Sequence, residues 1–296
     1  MPITARAIAP IMLAVACMGC SSAFAQSAGP AQSTSAPLQT DSAGSVGNAA
    51  ASSVFRVLCH SKGNPRPGFD SFGTGFLHKS GLVLTAAHVT DICDEIGIAP
   101  PDGSPAIAAD VAFRDDRVDL AALKPVRTIT GNPIPIAPDS NLSVGEEIAI
   151  WGFPGGYVGR FPMVSVGYFA GGDAIPVKVG PTVEMVPQMV VNAAVNHGDS
   201  GAPVVMVETG QVIGVADNKI VPLSGDALAA LAALQSQNSG FMYPAQLPDG
   251  TTKSFSEAQV VALVLEELRQ QVQLVVGHAV WAGDLRKFLQ ANKIDP

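Results

Sequence analysis

One serine of this chain lies in a glycine-rich turn of the kind that surrounds a nucleophilic hydroxyl. Ser200 follows Gly198 and Asp199 and precedes Gly201. The two glycines allow a tight turn and a close approach to a substrate carbonyl, because neither carries a Cβ. The backbone N–H groups of Gly198 and Ser200 are predicted to point at one spot, where an oxyanion would be stabilised. The turn therefore predicts acyl-transfer chemistry with Ser200 as the nucleophile.

A serine hydroxyl needs a base, and the base needs an acid that orients it. His88 ends the largely apolar segment 82–88, and Asp119 opens the apolar run Leu120–Leu123. The order histidine, aspartate, serine is one of several unrelated orders in which this constellation occurs. The sequence therefore predicts His88 as the general base and Asp119 as the residue that fixes its tautomer.

Several collinear motifs carry a family resemblance. The chain resembles trypsin-like serine proteases, most closely the HtrA-like branch of bacterial secreted enzymes, over roughly residues 53–220. The resemblance implies an all-β fold of two six-stranded antiparallel barrels, chymotrypsin-like, with the active site between them. It also implies polypeptide substrates, including unfolded proteins, and no cofactor. The matching segments are Gly73–Phe76, Leu84–Val89, Val118–Ala121, Gly152–Gly155 and Ala193–Gly201.

The resemblance also implies where a substrate side chain binds. In this family the primary pocket is set by the residue six before the nucleophile, here Ala194, and by a short strand after it. That strand is assigned here to Gly214, Val215 and Ala216. Ala194 offers no carboxylate at the pocket base, and Asp217 lies just beyond the strand with its direction unknown. Small apolar side chains are therefore expected before the cleaved bond. His197 adjoins the turn and is expected to touch substrate.

Two departures from the family pattern accompany these motifs. Asp199 stands where HtrA-like enzymes usually have asparagine, so its carboxylate needs a partner that the sequence does not identify. The chain also ends at residue 296, so no C-terminal PDZ domain is expected. Peptide-triggered regulation is therefore not expected.

From Ser53 onward, short apolar and β-branched runs alternate with glycine and proline, as in barrels. We predict a protease domain over 53–296, with barrel 1 at about 53–130 and barrel 2 at about 140–296. A helical insertion is predicted at about 222–271, capped at Ser254–Glu257, and a closing helix at Gly283–Leu289. The predicted strands are Val54–His60, Gly75–His78, Leu82–Ala86, Ile107–Phe113, Leu120–Pro125, Glu147–Trp151, Met163–Tyr168, Met189–Asn192, Pro203–Val207, Gln211–Ala216 and a last strand within Val272–Trp281.

The N-terminal region has the pattern of an export signal. Residues 1–25 combine Arg6, a short apolar run and a small-residue cleavage site ending at Ala25. Residues 26–52 are rich in serine, alanine and glycine and are predicted to form a disordered linker. We therefore expect a periplasmic or extracellular protein without a transmembrane span. Lipid attachment at Cys17 or Cys20 is the alternative.

Composition and cysteine count bear on three further features: nucleic-acid binding, a disulfide and a metal site. A net charge of −8 with no basic block argues against a nucleic-acid partner. Beyond the leader only Cys59 and Cys93 remain, an even number in an exported chain. A disulfide between them is predicted, as related proteases have one near the turn after the histidine; two buried free thiols are the alternative. No cysteine or histidine pair has zinc-ligand spacing, so no metal site is expected.

Two other function classes fit parts of the sequence. A catalytically silent pseudoprotease would keep the same motifs but act as a binding module. An α/β-hydrolase esterase would need Gly-x-Ser-x-Gly, yet Ala202 occupies the last position. It would also need an acid and a histidine after the serine, for which Asp217 and His278 are available. The alternating strand–helix pattern of that fold is absent from the sequence.

Overall fold

Six short strands of the N-terminal half close into a barrel. The computed structural model describes residues 52–61, 71–138, 142–155, 157–179, 181–219, 225–246, 250–271 and 275–296. Neighbouring strands pair antiparallel in the closed order β1-β2-β3-β6-β5-β4. The strands are β1 (Val54–His60), β2 (Ser71–Leu77), β3 (Val83–Thr85), β4 (Glu95–Ala99), β5 (Ile107–Asp115) and β6 (Leu120–Pro125).

A second barrel forms from the C-terminal half, in the closed order β10-β11-β14-β9-β8-β7. The predicted all-β architecture of two six-stranded barrels is thereby confirmed. A separate two-stranded sheet pairs β12 with β13. The strands are β7 (Glu147–Gly152), β8 (Met163–Val179), β9 (Thr182–Asn192), β10 (Pro203–Met206), β11 (Val212–Lys219), β12 (Met242–Gln246), β13 (Thr252–Ser256) and β14 (Gly277–Trp281).

Strands β8 and β9 are much longer than the sequence predicted. The first strand of this pair was predicted to end at Tyr168 and the second to begin at Met189. In the structure, the pairing of β8 with β9 continues outward to Val179, which lies opposite Thr182. The register shifts between Phe169 and Gly171, where a bulge bends the hairpin. Glycines and prolines in this segment had indicated strand ends, yet an exposed hairpin tolerates both at bulges and edges. Strand β4 was also missing from the prediction.

The described residues contain three α-helices, two between β11 and β14 and one after β14. They are α1 (Gly225–Ser236), α2 (Glu257–Gln271) and α3 (Ala282–Ala291). Hairpin β12–β13 lies between α1 and α2 in sequence, so the predicted insertion holds a hairpin as well as helices. The capping box of α2 pairs Ser256 with Gln259, two residues later than predicted. No helix of the described part is long and apolar enough to span a bilayer.

One apolar core joins the two barrels and thereby fixes the cleft between them. Phe76 and Leu84 of the first barrel belong to the same buried cluster as Phe153, Val205 and Val280 of the second. Helix α3 adds Leu285, Phe288 and Leu289 to this cluster. Buried apolar side chains of this size each contribute about 1.5–3 kcal/mol. The loops that face each other across the cleft are therefore held by a continuous packed interior.

A disulfide joins Cys59 on β1 to Cys93, which follows the turn that carries His88. The bridge spans 34 residues of sequence. We expect the Cys59→Ala/Cys93→Ala double variant to lose about 3–4 kcal/mol of unfolding free energy, because cross-linking restricts the unfolded chain. Urea denaturation of wild type and variant measures the difference. Equal midpoints for oxidised wild type and the double variant would contradict this expectation.

Candidate active site

Two loops of the first barrel bring His88 and Asp119 together. His88 lies on a 3₁₀ turn, Ala87–Thr90, directly after β3. Its Nδ1 is 2.7 Å from Oδ2 of Asp119, and its backbone N–H donates to Oδ1 of Asp119 at 2.8 Å. The Ala87 N–H also donates to the Asp119 carbonyl at 3.1 Å. Backbone and side chain of the histidine are therefore both fixed by one aspartate.

Asp119 adopts a backbone conformation that most residues avoid. Its φ is 54°, in the left-handed region, where aspartate and asparagine are tolerated better than other side-chain residues. Such conformations persist where surrounding contacts hold them in place, and they cluster at functional sites. The three hydrogen bonds to His88 and Ala87 supply those contacts here.

Arg114 of β5 supports the histidine turn. Its Nη1 donates to the Ala87 carbonyl at 2.9 Å and contacts Thr90 Oγ1 at 2.7 Å. The same guanidinium pairs with Asp91 and Asp116. Because charge-assisted hydrogen bonds are the stronger kind, this arginine anchors both ends of the 3₁₀ turn.

Ser200 lies in a turn that only glycine can form at two positions. Gly198 has φ of 95° and Gly201 has φ of 85°. A Cβ on Gly198 would lie 2.4 Å from the Phe153 carbonyl oxygen. A Cβ on Gly201 would lie 2.1 Å from the Thr74 carbonyl oxygen. The predicted need for glycine at both positions follows from backbone conformation and from close packing.

Strand β2 fixes the orientation of the serine turn. The Thr74 N–H donates to the Ser200 carbonyl at 2.8 Å, and Thr74 Oγ1 donates to the Gly198 carbonyl at 2.7 Å. The Gly201 N–H donates to the Ala216 carbonyl of β11 at 2.7 Å. Within the described residues, the N–H groups of Gly198 and Ser200 donate to no protein acceptor. Two backbone donors beside the serine are therefore available to a ligand.

A second aspartate reaches the site from β11. Ser200 Oγ donates to the Asp217 carbonyl at 2.9 Å and makes no hydrogen bond to His88 in the described part of the chain. Oδ1 of Asp217 lies 4.0 Å from Nδ1 of His88. One ligand atom from each of His88, Asp119 and Asp217 lies within 4.8 Å of the others, close enough to share a cation. Asp119 already uses both oxygens for His88.

The pKa of His88 reflects opposing influences. Burial lowers the pKa, but the hydrogen bond to Asp119 and the charges of Asp119, Asp217 and Asp91 together raise it above its ordinary value. Negative charge around the ring favours the imidazolium form. The arrangement is therefore suited to a histidine that accepts a proton during a reaction.

Comparison with known proteins gives the family of the central part of the chain. Residues 73–215 match the family model described as "Trypsin-like peptidase domain". The chain contains a trypsin-like peptidase domain. Among proteins with similar sequence, "Putative serine protease HhoA" of Synechocystis sp. is 32% identical over 147 residues, 48% of this chain and 36% of that protein. "Probable periplasmic serine endoprotease DegP-like" of Hahella chejuensis is 29% identical over 168 residues, 55% of this chain and 33% of that protein.

The trypsin-like domain is thus homologous to HtrA- and DegP-like serine proteases. The chain spans about a third of the length of these two relatives. The Rv3671c protease of M. tuberculosis, in its active form, shares the fold with a TM-score of 0.52 and 23% identity. That alignment covers 64% of this chain and 82% of the neighbour.

Asp199 of the trypsin-like domain is buried and has a backbone partner. Only 3% of the residue is exposed, and its Oδ2 accepts the Asn196 N–H at 2.9 Å. Gly152 leaves room for the carboxylate, since a Cβ there would lie 2.4 Å from Oδ1. Burial raises the pKa of Asp199 to about 6. The partner that the sequence left open is therefore the backbone of the same turn.

Asp199 should make stability fall as pH rises between about 4 and 6. Its folded pKa of about 6 lies above the ordinary 3.8, so the folded state holds this proton more tightly than the unfolded state. Asp199→Asn keeps an acceptor for the Asn196 N–H but has no carboxyl group that could gain or lose a proton. Between pH 3 and 7, wild type should lose about 3 kcal/mol of unfolding free energy relative to Asp199→Asn. Urea denaturation across this range measures it; parallel curves would refute the expectation.

Two of the residues predicted to contact substrate, His197 and Ala194, differ in how far they are exposed in the trypsin-like domain. His197 is exposed, its ring centroid lies 6.2 Å from that of Phe72, and its carbonyl accepts the Gly155 N–H at 2.6 Å. Ala194 is half-buried just beyond β9.

The segment predicted to line the pocket wall is instead part of the barrel interior. Gly214, Val215 and Ala216 are buried within β11, and Val215 and Ala216 have no exposed surface. Val215 packs in the core cluster that contains Val280. The structure therefore does not bring these three residues to the cleft surface. The segment assigned to the pocket wall ends one residue before the part of β11 that reaches the site. Asp217, the next residue, is the one whose carbonyl accepts the Ser200 hydroxyl.

Three residues of the site were assigned no role from the sequence. Thr74 belongs to the Gly73–Phe76 motif, but only the structure shows its contacts with the serine turn. Arg114 has no motif of its own. Asp217 was considered only for an esterase and as a pocket residue of unknown direction. The feature of the sequence that could have indicated Asp217 is a charged residue at the end of an apolar strand.

Proposed function

We propose that this trypsin-like domain is a serine endopeptidase that hydrolyses peptide bonds through an acyl-enzyme. Ser200 is the nucleophile, His88 the general base and Asp119 its orienting acid. The observation that carries the proposal is the double hydrogen bond between His88 and Asp119, opposite a serine turn with two available N–H donors. Because Nδ1 of His88 is engaged by Asp119, Nε2 is the ring nitrogen left to accept a proton.

In the proposed mechanism, Ser200 Oγ bonds to the substrate carbonyl carbon while its proton passes to Nε2 of His88. The resulting oxyanion accepts hydrogen bonds from the N–H groups of Gly198 and Ser200. Collapse of this intermediate breaks the C–N bond, and His88 returns the proton to the leaving amine. Water then repeats the sequence on the acyl-enzyme and restores Ser200.

Preorganised backbone donors are expected to contribute strongly to the rate. Loss of one such donor typically costs roughly 3–4 kcal/mol of transition-state stabilisation. The hydrogen bonds from Thr74 to the carbonyls of Gly198 and Ser200 support this role, because they hold the peptide units on either side of the one that carries the Ser200 N–H. Asp199 supports it as well by bonding the Asn196 N–H.

The proposed substrates are polypeptides, including unfolded proteins. Names of the relatives describe serine proteases and periplasmic endoproteases, which supports this substrate class. Ala194 still provides no carboxylate for a basic side chain, so small apolar residues before the cleaved bond remain part of the proposal. His197 is proposed to contact substrate from its exposed position beside the turn.

We further propose that the protein is exported. Leader 1–25 and linker 26–52 lie almost wholly outside the described residues, so this part rests on the sequence pattern. Two observations support it: the disulfide, which persists in oxidising compartments, and the periplasmic relatives. The proposed protease domain, 53–296, comprises barrel 1 to about 130, barrel 2 from about 140, and the insertion at about 222–271.

A catalytically silent binding module is the second candidate. The observation that favours it is the Ser200 hydroxyl, which donates to the Asp217 carbonyl and not to His88. Rotation about the Cα–Cβ bond redirects a serine hydroxyl without any backbone change. A pseudoprotease would have to keep the hydroxyl in this position when substrate is bound.

Digestion of an unfolded protein separates the two candidates. Purified protein beginning at residue 26 is incubated with fluorescein-labelled casein, with and without phenylmethylsulfonyl fluoride. We expect peptide release that the inhibitor stops, and sequencing of the fragments identifies the residue before each cut. Intact casein beside correctly folded protein would favour the binding module, and release insensitive to the inhibitor would exclude a serine mechanism.

A further inference from the structure

Asp217 lies at the site but has no role in the proposed triad. Its side chain is 9% exposed, and its Oδ1 is 4.0 Å from Nδ1 of His88. The same residue accepts the Ser200 hydroxyl through its backbone carbonyl at 2.9 Å. Asp217 is therefore adjacent to both the nucleophile and the base, from a different barrel than His88.

The position of Asp217 is fixed by the barrel. The preceding residue, Ala216, exchanges hydrogen bonds with the serine turn, because the Gly201 N–H donates to Ala216 and the Ala216 N–H donates to Ala202. Ala216 also pairs with Ala279 of β14. Asp217 follows this anchored residue directly, within the register shift between Ala216 and Lys219, and its carbonyl accepts the Ser200 hydroxyl.

The charged groups around His88 come from three directions. Asp119 lies directly before β6, Asp217 lies on β11, and Asp91 follows the histidine turn. Asp91 is paired with the guanidinium of Arg114, which offsets much of its charge. Asp119 forms the hydrogen bond that orients the ring. Asp217 is the remaining carboxylate, beyond hydrogen-bond distance but near enough for an ionic interaction with a protonated ring.

We propose that Asp217 is a positioning residue that stabilises the imidazolium of His88 while its backbone carbonyl holds the Ser200 hydroxyl at rest. When the serine proton passes to His88, the ring gains a positive charge, and the carboxylates of Asp119 and Asp217 both lie near its Nδ1. Asp217 then acts through His88, on the charge that develops in the transition state. This inference rests on the proposed serine-protease function and adds a fourth residue to its machinery.

The test replaces Asp217 by asparagine, which keeps the backbone carbonyl and the side-chain shape but removes the charge. We expect the acid limb of the pH profile of kcat/KM to move down by about one pH unit. At its plateau, kcat should fall roughly tenfold, the fold-change that corresponds to one pKa unit, with KM nearly unchanged. Asp110→Asn, an exposed aspartate of β5, makes the same change in net charge and should leave the profile in place.

A direct titration of His88 distinguishes failure of this inference from failure of the proposed function. The ¹H chemical shift of the His88 ring is followed against pH in Ser200→Ala protein, and His88→Gln assigns the signal. Adding Asp217→Asn should lower the pKa of His88 by about one unit, whether or not the protein hydrolyses casein. If Asp217→Asn does not fold, Asp217→Ser serves the same test. An unchanged His88 pKa in the folded variant would overturn the role of Asp217.

Discussion

Ser200→Ala is expected to abolish casein hydrolysis, with a rate loss of roughly 10⁵–10⁶-fold, the order seen when a triad serine is removed. The reason is chemical, since alanine has no oxygen with which to form the acyl-enzyme. The fold should persist because the hydroxyl makes one hydrogen bond, to the Asp217 carbonyl. Such a bond contributes only about 1 kcal/mol to stability. Release of labelled peptides from casein measures the rate.

A matched control separates chemistry from damage to the fold. Ser104→Ala makes the same substitution at an exposed serine of the first barrel and should keep full activity. Thermal unfolding of both variants should follow the wild type closely. Hydrolysis by Ser200→Ala at the wild-type rate would show that the wrong nucleophile had been assigned.

Asp119→Asn should lower kcat/KM by roughly 10³–10⁴-fold without unfolding the protein. An amide N–H at this position would donate to Nδ1 of His88 and so place the ring proton on Nε2, where it blocks general-base catalysis. Asparagine also tolerates the left-handed backbone of this residue, whose φ is 54°. Steady-state hydrolysis of a chromogenic peptide measures the change.

The backbone requirement provides the control for this variant. Asp119→Ala removes the carboxylate as well, but its methyl side chain suits the left-handed conformation poorly. It should therefore also lower the unfolding free energy, by about 1–2 kcal/mol. Retention of most activity by folded Asp119→Asn would mean that His88 is oriented by another group, and Asp217 would be the first to examine.

Local sequence was sufficient to predict the parts of the site that depend on residue type. The glycines around Ser200 were predicted from the needs of a tight turn, and both adopt positive φ. Alternation of short apolar runs with glycine and proline indicated barrel strands, and the resemblance to trypsin-like proteases implied two barrels. His88 and Asp119 were placed in the first barrel because each borders an apolar strand, and the closed sheet brings the ends of those strands together.

Features that depend on register and on distant contacts were not predictable in the same way. Gly214–Ala216 were expected at the cleft, but the ladder between β10 and β11 buries them and brings Asp217 to Ser200. Hairpin β8–β9 extends past residues that usually end strands, because pairing between two exposed segments tolerates them. Asp199 had no identifiable partner, since its acceptor role depends on a backbone N–H within its own turn.

Covalent labelling by diisopropyl fluorophosphate tests the central claim most directly, because the reagent transfers its phosphoryl group to an activated serine oxygen and releases fluoride. The account predicts that mass spectrometry of the labelled protein finds the modification on Ser200, and that Ser200→Ala removes it. His88→Ala should slow the labelling strongly, since the base is then missing. An unlabelled but folded wild-type protein, or a label on a different serine, would contradict the assignment of Ser200, His88 and Asp119 as a working triad.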